Sequence, residues 1–183
     1  ISSNNLILFL SVYIVAAYVN HVDDTDETYG YFEPLHYLLY GHGMQTWEYS
    51  PAYAIRAYSF LSPFWAFCEA VRGVMVMFGA TEMDTKYACY FGVKVLLGTF
   101  TAYSQATYVD ALASFLGPVT AKAAKILILA SPGCFYSATA FLPSSVCANL
   151  VLLGAAAWMN GHDMACIFYG GVAVMWTGWP FIG

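Results

Sequence analysis

The run "YACYFGVKVLLGTFTAYSQATYVDAL" (Tyr87–Leu112) is apolar and aromatic through most of its length. A membrane β-strand needs only about 9–11 residues, whereas a helix needs about 20 to cross roughly 30 Å of hydrocarbon. In lipid only helices and closed barrels satisfy every backbone N–H and C=O. A run this long is therefore a membrane helix, and its neighbours share its character. Downstream, "LGP" (Leu116–Pro118) breaks the chain before Val119–Ala130. "SPG" (Ser131–Gly133) and "LPSS" (Leu142–Ser145) punctuate the next stretch. Val146–Met159 is a further span, "NGHD" (Asn160–Asp163) a turn, and a final helix runs from Met164 to Phe181. Upstream lie a polar hinge, "TEMDTK" (Thr81–Lys86), an apolar segment, Ala52–Gly79, and a first apolar run, Leu6–Val19. The expected class is all-α and polytopic, without internal repeats.

Composition agrees. The 183 residues are 60% hydrophobic and 9% charged, with a mean hydropathy of +0.61. Soluble domains carry roughly 25% charged residues. Six Lys and Arg against eleven Asp and Glu exclude a nucleic-acid surface, which needs clustered cations. The five cysteines (Cys68, Cys89, Cys134, Cys147, Cys166) are scattered and show no CxxC spacing, so they read as small buried hydrophobes. Leu6–Val19 follows no basic region and precedes no clean cleavage site, which favours a first membrane helix over a secretory signal. The expected chain is the N-terminal portion of one larger transmembrane domain, over 1–183.

Orientation depends on Ala52–Gly79. Pro63, Arg56 and Arg72 within it disfavour a clean span, so we expect it to lie at the interface. Lys122 and Lys125 then fall on the face opposite the loop that precedes it. Cytoplasmic loops favour Lys and Arg, which makes that loop, about 20–86, extracytoplasmic.

The loop contains "HVDDTDETYGYFEPLHYLLYGHGMQTWEYSP" (His21–Pro51), with six of the eleven acids and no Lys or Arg. Its composition alone is compatible with a solvated acidic surface. "DDTDET" lacks the Gly and the terminal Glu of a calcium loop, so no metal site is expected. Asp26 and Glu27 are adjacent, so on a helix their side chains diverge by about 100°. They do not form a matched acid–base pair on one atom, yet one of them, poised at a membrane surface, suits a general base. After Pro34, which suits a helix start, Leu35, Leu38 and Leu39 share a face up to Gly41, as in a membrane-parallel amphipathic helix. Trp47 and Tyr49 suit an interface belt and equally suit stacking on sugar rings.

The stretches "DETYGYFEPLHYLLYGHGMQTWEYSPAYAIRAY" (Asp26–Tyr58), "SATAFLPSS" (Ser137–Ser145) and "GWPF" (Gly178–Phe181) resemble the dolichyl-phosphate-mannose-dependent mannosyltransferases of the GT-C fold. Within them they are most similar to the endoplasmic-reticulum α-1,2-mannosyltransferases of glycosyltransferase family 22. The resemblance implies a multi-pass endoplasmic-reticulum protein with a lumenal first loop containing amphipathic helices. It also implies an inverting transfer of mannose from dolichyl-phosphate mannose to a dolichol-linked oligosaccharide, with no metal or other cofactor. The catalytic Asp of the family maps onto Asp26, with Glu27 beside it. Many relatives carry a His-Pro-Asp-Glu type motif, whereas here Thr25 precedes the Asp, so His21 is not carried over. Asp24, Glu33, Trp47, Glu48, Tyr49 and Arg56 become candidates for substrate contact, as do Ser144 and Ser145 of the second lumenal loop. Arg56 either steadies the donor phosphate or anchors at lipid headgroups. Two alternatives remain: a related mannosyltransferase of glycosylphosphatidylinositol synthesis or of another oligosaccharide arm, and a cation-binding membrane transporter.

Overall fold

The computed structural model describes residues 2–22 and 24–177. Asp23 and the "GWPF" motif at 178–181 lie outside the described residues. Among those described, the regular elements are all helical, as the long apolar runs require. The chain divides into two compact units, one of residues 1–20 and 95–183, the other of residues 21–94.

The first unit begins with α1 (Ser3–Val19). It takes in the later turns of α5 (Glu82–Phe115) and then α6 (Pro118–Ala130), α7 (Pro132–Ser137), α8 (Pro143–Met159) and α9 (Asp163–Thr177). Its core joins Phe9, Tyr13 and Ala16 of α1 to Ala102, Ala106, Val109 and Leu112 of α5. The small residues let the two helices approach. At Gly98 a Cβ would lie only 3.0 Å from the Tyr13 carbonyl oxygen, so a side chain there would push the two helices apart. Buried polar side chains of this unit pair with one another, as a low-dielectric interior favours. The Tyr13 hydroxyl donates to Gln105. Asn149 donates to Thr101 (2.8 Å), whose hydroxyl donates to the Ala138 carbonyl (2.9 Å). At the start of α1, Asn5 donates to Asp110 and accepts from Lys125 (3.0 Å).

The second unit holds α2 (Thr25–Glu27), a π-helical turn (Thr28–Phe32), α3 (Glu33–Tyr40), a 3-10 turn (Trp47–Tyr49), α4 (Tyr58–Met77) and the first turns of α5. Two sequence expectations change here. "TEMDTK" is not a hinge but a helix start: the Thr81 hydroxyl accepts from the Asp84 N–H (3.3 Å), and the Asp84 carboxylate accepts from the Thr81 N–H (2.9 Å). That reciprocal pair is a capping box. Likewise Pro63 does not interrupt α4. Its missing N–H frees the Ser59 carbonyl, and the Ser62 hydroxyl donates to that oxygen at 2.8 Å. As a result α4 runs unbroken for 20 residues and is the one described helix long and apolar enough to cross a membrane. Pro63 therefore drops out as an argument against a span, while Arg72 remains: its guanidinium donates to the Leu39 carbonyl at the end of α3 and lies 5.3 Å over the Tyr40 ring.

Candidate active site

The acidic motif folds as one helical segment from Thr25 to Tyr40. Asp24 opens it: its carboxylate accepts from the Asp26 N–H at 2.8 Å, the usual N-cap bond. Asp24, a candidate for substrate contact, is thus the residue that orients Asp26.

Pro34 sits in the first turn of α3, as the sequence suggested, and it also shapes the turn before it. Proline cannot donate to the carbonyl four residues back, and its ring crowds that carbonyl. Here the carbonyl belongs to Gly30. The backbone widens over Thr28–Phe32, with the Glu33 N–H bonding to the Thr28 carbonyl in a five-residue step. The freed Gly30 oxygen accepts from the Tyr49 hydroxyl at 2.7 Å. This contact accounts for Tyr49, which is 9% exposed and turned to protein rather than to a ligand. Burial raises its phenol pKa. Burial likewise pushes the Tyr31 phenol up to about 12, so both rings stay neutral at physiological pH.

Gly30 serves a second purpose. A Cβ there would come within 2.3 Å of Arg56 Nη1 and 3.1 Å of Asp26 Oδ1. The bare α-carbon lets the guanidinium pack against the turn; a side chain there would require Arg56 to shift. Arg56 also lies 4.8 Å from the centre of the Tyr31 ring. Its Nη2 donates to Asp26 Oδ1, and its Nε donates to Glu48 at 2.7 Å. Burial alone would lower the Arg56 pKa, but its hydrogen bonds to Glu48 and Asp26 outweigh that and raise it. It stays charged, with both flanking carboxylates as partners.

Asp26 and Glu27 diverge as adjacent helical residues must. The Asp26 side chain is 50% exposed, while Glu27 is 6% exposed and faces the interior, where its charge acts on Lys94 and Tyr90. Lys94, 2% exposed, is a functional candidate that sequence reasoning missed. The signal for it is a lone cation inside an apolar run, which marks function or a buried partner.

The remaining candidates are dispersed. Glu33 accepts from the Met44 N–H at 3.2 Å, closing the chain reversal after α3. On α3 itself Leu35 and Leu39 are buried, but Leu38 is 36% exposed, so the expected three-residue face is two residues wide. Trp47 is 60% exposed and packs edge-on against Tyr53 at 5.1 Å, leaving its ring open to a sugar or to lipid. Ser144 and Ser145 belong to the other unit, in the first turn of α8, with Ser144 exposed. Among the described residues no three His, Cys, Asp or Glu side chains gather as metal ligands.

Residues 5–183 match the Alg9-like mannosyltransferase family. The chain is 34% identical over 174 residues to the α-1,2-mannosyltransferase ALG9 of Homo sapiens, which covers 94% of this chain and 27% of that protein. It is 34% identical to the α-1,2-mannosyltransferase alg9 of Schizosaccharomyces pombe, over 87% of this chain and 27% of the relative. It is 31% identical to ALG9 of Saccharomyces cerevisiae, over 97% and 32%. The chain thus spans about a quarter to a third of the length of these relatives. No solved structure matches it.

Proposed function

The chain belongs to the Alg9-like mannosyltransferase family, and on that premise we propose that it carries the catalytic-base segment of an inverting mannosyltransferase. The enzyme moves mannose from dolichyl-phosphate mannose to a dolichol-linked oligosaccharide in α-1,2 linkage, during assembly of the N-glycan precursor in the endoplasmic-reticulum membrane. The α-1,2 activity for which the relatives are named supports the α-1,2 linkage, and family membership counts against a transporter.

One observation carries the reading: a half-exposed Asp26 carboxylate held on one oxygen by Arg56 and set in place by the Asp24 cap. In the proposed step the acceptor mannose hydroxyl gives its proton to Asp26 Oδ2. Its oxygen attacks C1 of the β-linked mannosyl phosphate from the face opposite the leaving group. The bond from C1 to the phosphate oxygen breaks, and dolichyl phosphate departs with the electron pair, leaving an α-linked mannose. Arg56 orients the base. With Asp26 and Glu48 already on its guanidinium, it is a weaker candidate for the donor phosphate than the sequence suggested. Glu27, turned inward, supports the segment rather than sharing the proton.

Residues 21–94 are proposed to lie on the lumenal side, with α4 at the interface. In support, His21–Pro51 holds six acids and no Lys or Arg, whereas cytoplasmic loops favour Lys and Arg.

The test is Asp26→Asn in the full-length enzyme. Turnover should fall about 10²–10⁴-fold, the usual contribution of a general base, with little change in apparent acceptor affinity. Near-normal turnover would remove Asp26 from the role. Because the donor arrives with its phosphate activated, the same assay should be indifferent to excess EDTA. Loss of activity restored by Mn²⁺ would instead assign the acidic cluster to an ion.

A further inference from the structure

Cys68 and Cys89 face one another within residues 21–94. Cys68 lies nine residues before the end of α4 and Cys89 seven residues after the start of α5, so a helical hairpin brings them nearly level across its turn. The Cys89 thiol points to the Cys68 carbonyl at 3.6 Å, and the Cys68 thiol to the Cys89 carbonyl at 4.0 Å. One turn along, Gly92 lets the helices close up, since a Cβ there would meet the Phe67 ring at 3.1 Å. Both cysteines are buried, at 0% and 5% exposure, but Cys89 lines a groove of about 390 Å³ beside Tyr40, Tyr87 and Tyr90. That opening gives a reagent a route to one sulfur of the pair.

Two thiols on facing helices, each within reach of the other's backbone, need little more than side-chain rotation to join; cysteines whose Cβ atoms point apart cannot be bridged in this way. We infer that Cys68 and Cys89 form a disulfide that fastens α4 to α5 in the mature enzyme. The inference rests on the lumenal placement proposed above, because disulfides persist in the endoplasmic-reticulum lumen and not in the cytosol. The oxidant is the disulfide of a thiol–disulfide oxidoreductase. The Cys89 thiolate attacks that disulfide, forms a mixed disulfide and expels one thiolate. The Cys68 thiolate then attacks the Cys89 sulfur, expels the second thiolate and completes the bond. Two protein thiols lose two protons and two electrons, and the oxidoreductase leaves as a dithiol. The crosslink braces the frame behind the acidic segment, since α4 also supplies the Arg72 guanidinium that ends α3.

The test uses the full-length enzyme in sealed microsomes, denatured directly into N-ethylmaleimide, digested and analysed by mass spectrometry. The expected result is that the peptides bearing Cys68 and Cys89 appear as one linked species. After dithiothreitol and a second alkylator of different mass, both cysteines should carry only the second label. If both carry N-ethylmaleimide before reduction, the disulfide is overturned. A Met44→Cys label in a cysteine-free variant distinguishes the cause. With Met44→Cys on the lumenal side, free thiols sink the disulfide alone. With Met44→Cys on the cytosolic side, they sink the placement along with it. Mannosyl transfer, measured separately, bears on neither result.

Discussion

Three demands meet at Gly30: its carbonyl must be free for Tyr49, its backbone must widen ahead of Pro34, and its α-carbon must stay bare beneath Arg56. Adding a single methyl tests the last of these. Gly30→Ala places a carbon 2.3 Å from Arg56 Nη1, so the guanidinium must move and Asp26 loses its clamp. Misplacement of a catalytic group by about 1 Å costs on the order of 10²-fold, and turnover of full-length Gly30→Ala should fall by about that much. The protein should still fold, because alanine is the better helix former. Turnover within twofold of the parent would show that Arg56 does not position the base. Sequence made Asp26, Glu48 and Arg56 visible as chemistry, through their charges in an apolar chain and through the family resemblance. It did not reveal Gly30 or the cap at Asp24, because both roles exist only once Arg56 and Asp26 are folded against the turn.

At the scale of elements, the helical class and most helix ends could be read from apolar length and from Gly and Pro. Gly41 and Gly117 adopt the positive φ that ends or begins a helix at those positions. The two prolines share one physical feature. In sequence Pro34 reads as a helix start and Pro63 as a break because each lacks an N–H, but in both cases a hydroxyl supplies the missing donor nearby, from Tyr49 and from Ser62. The Ser62 bond is local and could be anticipated. The Tyr49 bond crosses 19 residues and could not. Glycine at α-helix contacts has the same character: Gly98 looks ordinary in sequence yet sits against the Tyr13 backbone. Gly98→Leu should force α1 away from α5 and destabilise the protein by about 1–3 kcal/mol, the usual cost of overpacking. Thermal unfolding in detergent measures it, and an unchanged midpoint would mean that this helix contact is not tight.

For the molecule as a whole, the proposed arrangement fixes which side of the bilayer each segment faces. With α4 at the interface, Met44→Cys and Thr120→Cys, each in a cysteine-free variant, should label from opposite sides of sealed microsomes. Both positions are exposed. Met44→Cys should stay protected until the vesicles are opened. If both label from one side, α4 crosses the membrane, as its length and composition allow. Sequence alone could not decide this, because Arg72 counts as a charge in a span until its bond to the Leu39 carbonyl is seen. That bond satisfies one of its donors within the protein.

The widened turn at Thr28–Phe32 has a consequence for comparing descendants of a common ancestor. It holds one residue more than an ordinary helical turn would between the acids and the proline. Loss of a residue between Gly30 and Pro34 removes that extra residue and leaves the carbonyl four residues before the proline on Tyr29 rather than on Gly30, whose oxygen accepts from Tyr49. Single-residue gaps between Gly30 and the proline should therefore be purged among active homologues. Changes of residue type there, away from Gly30, should be tolerated far more often than changes of length.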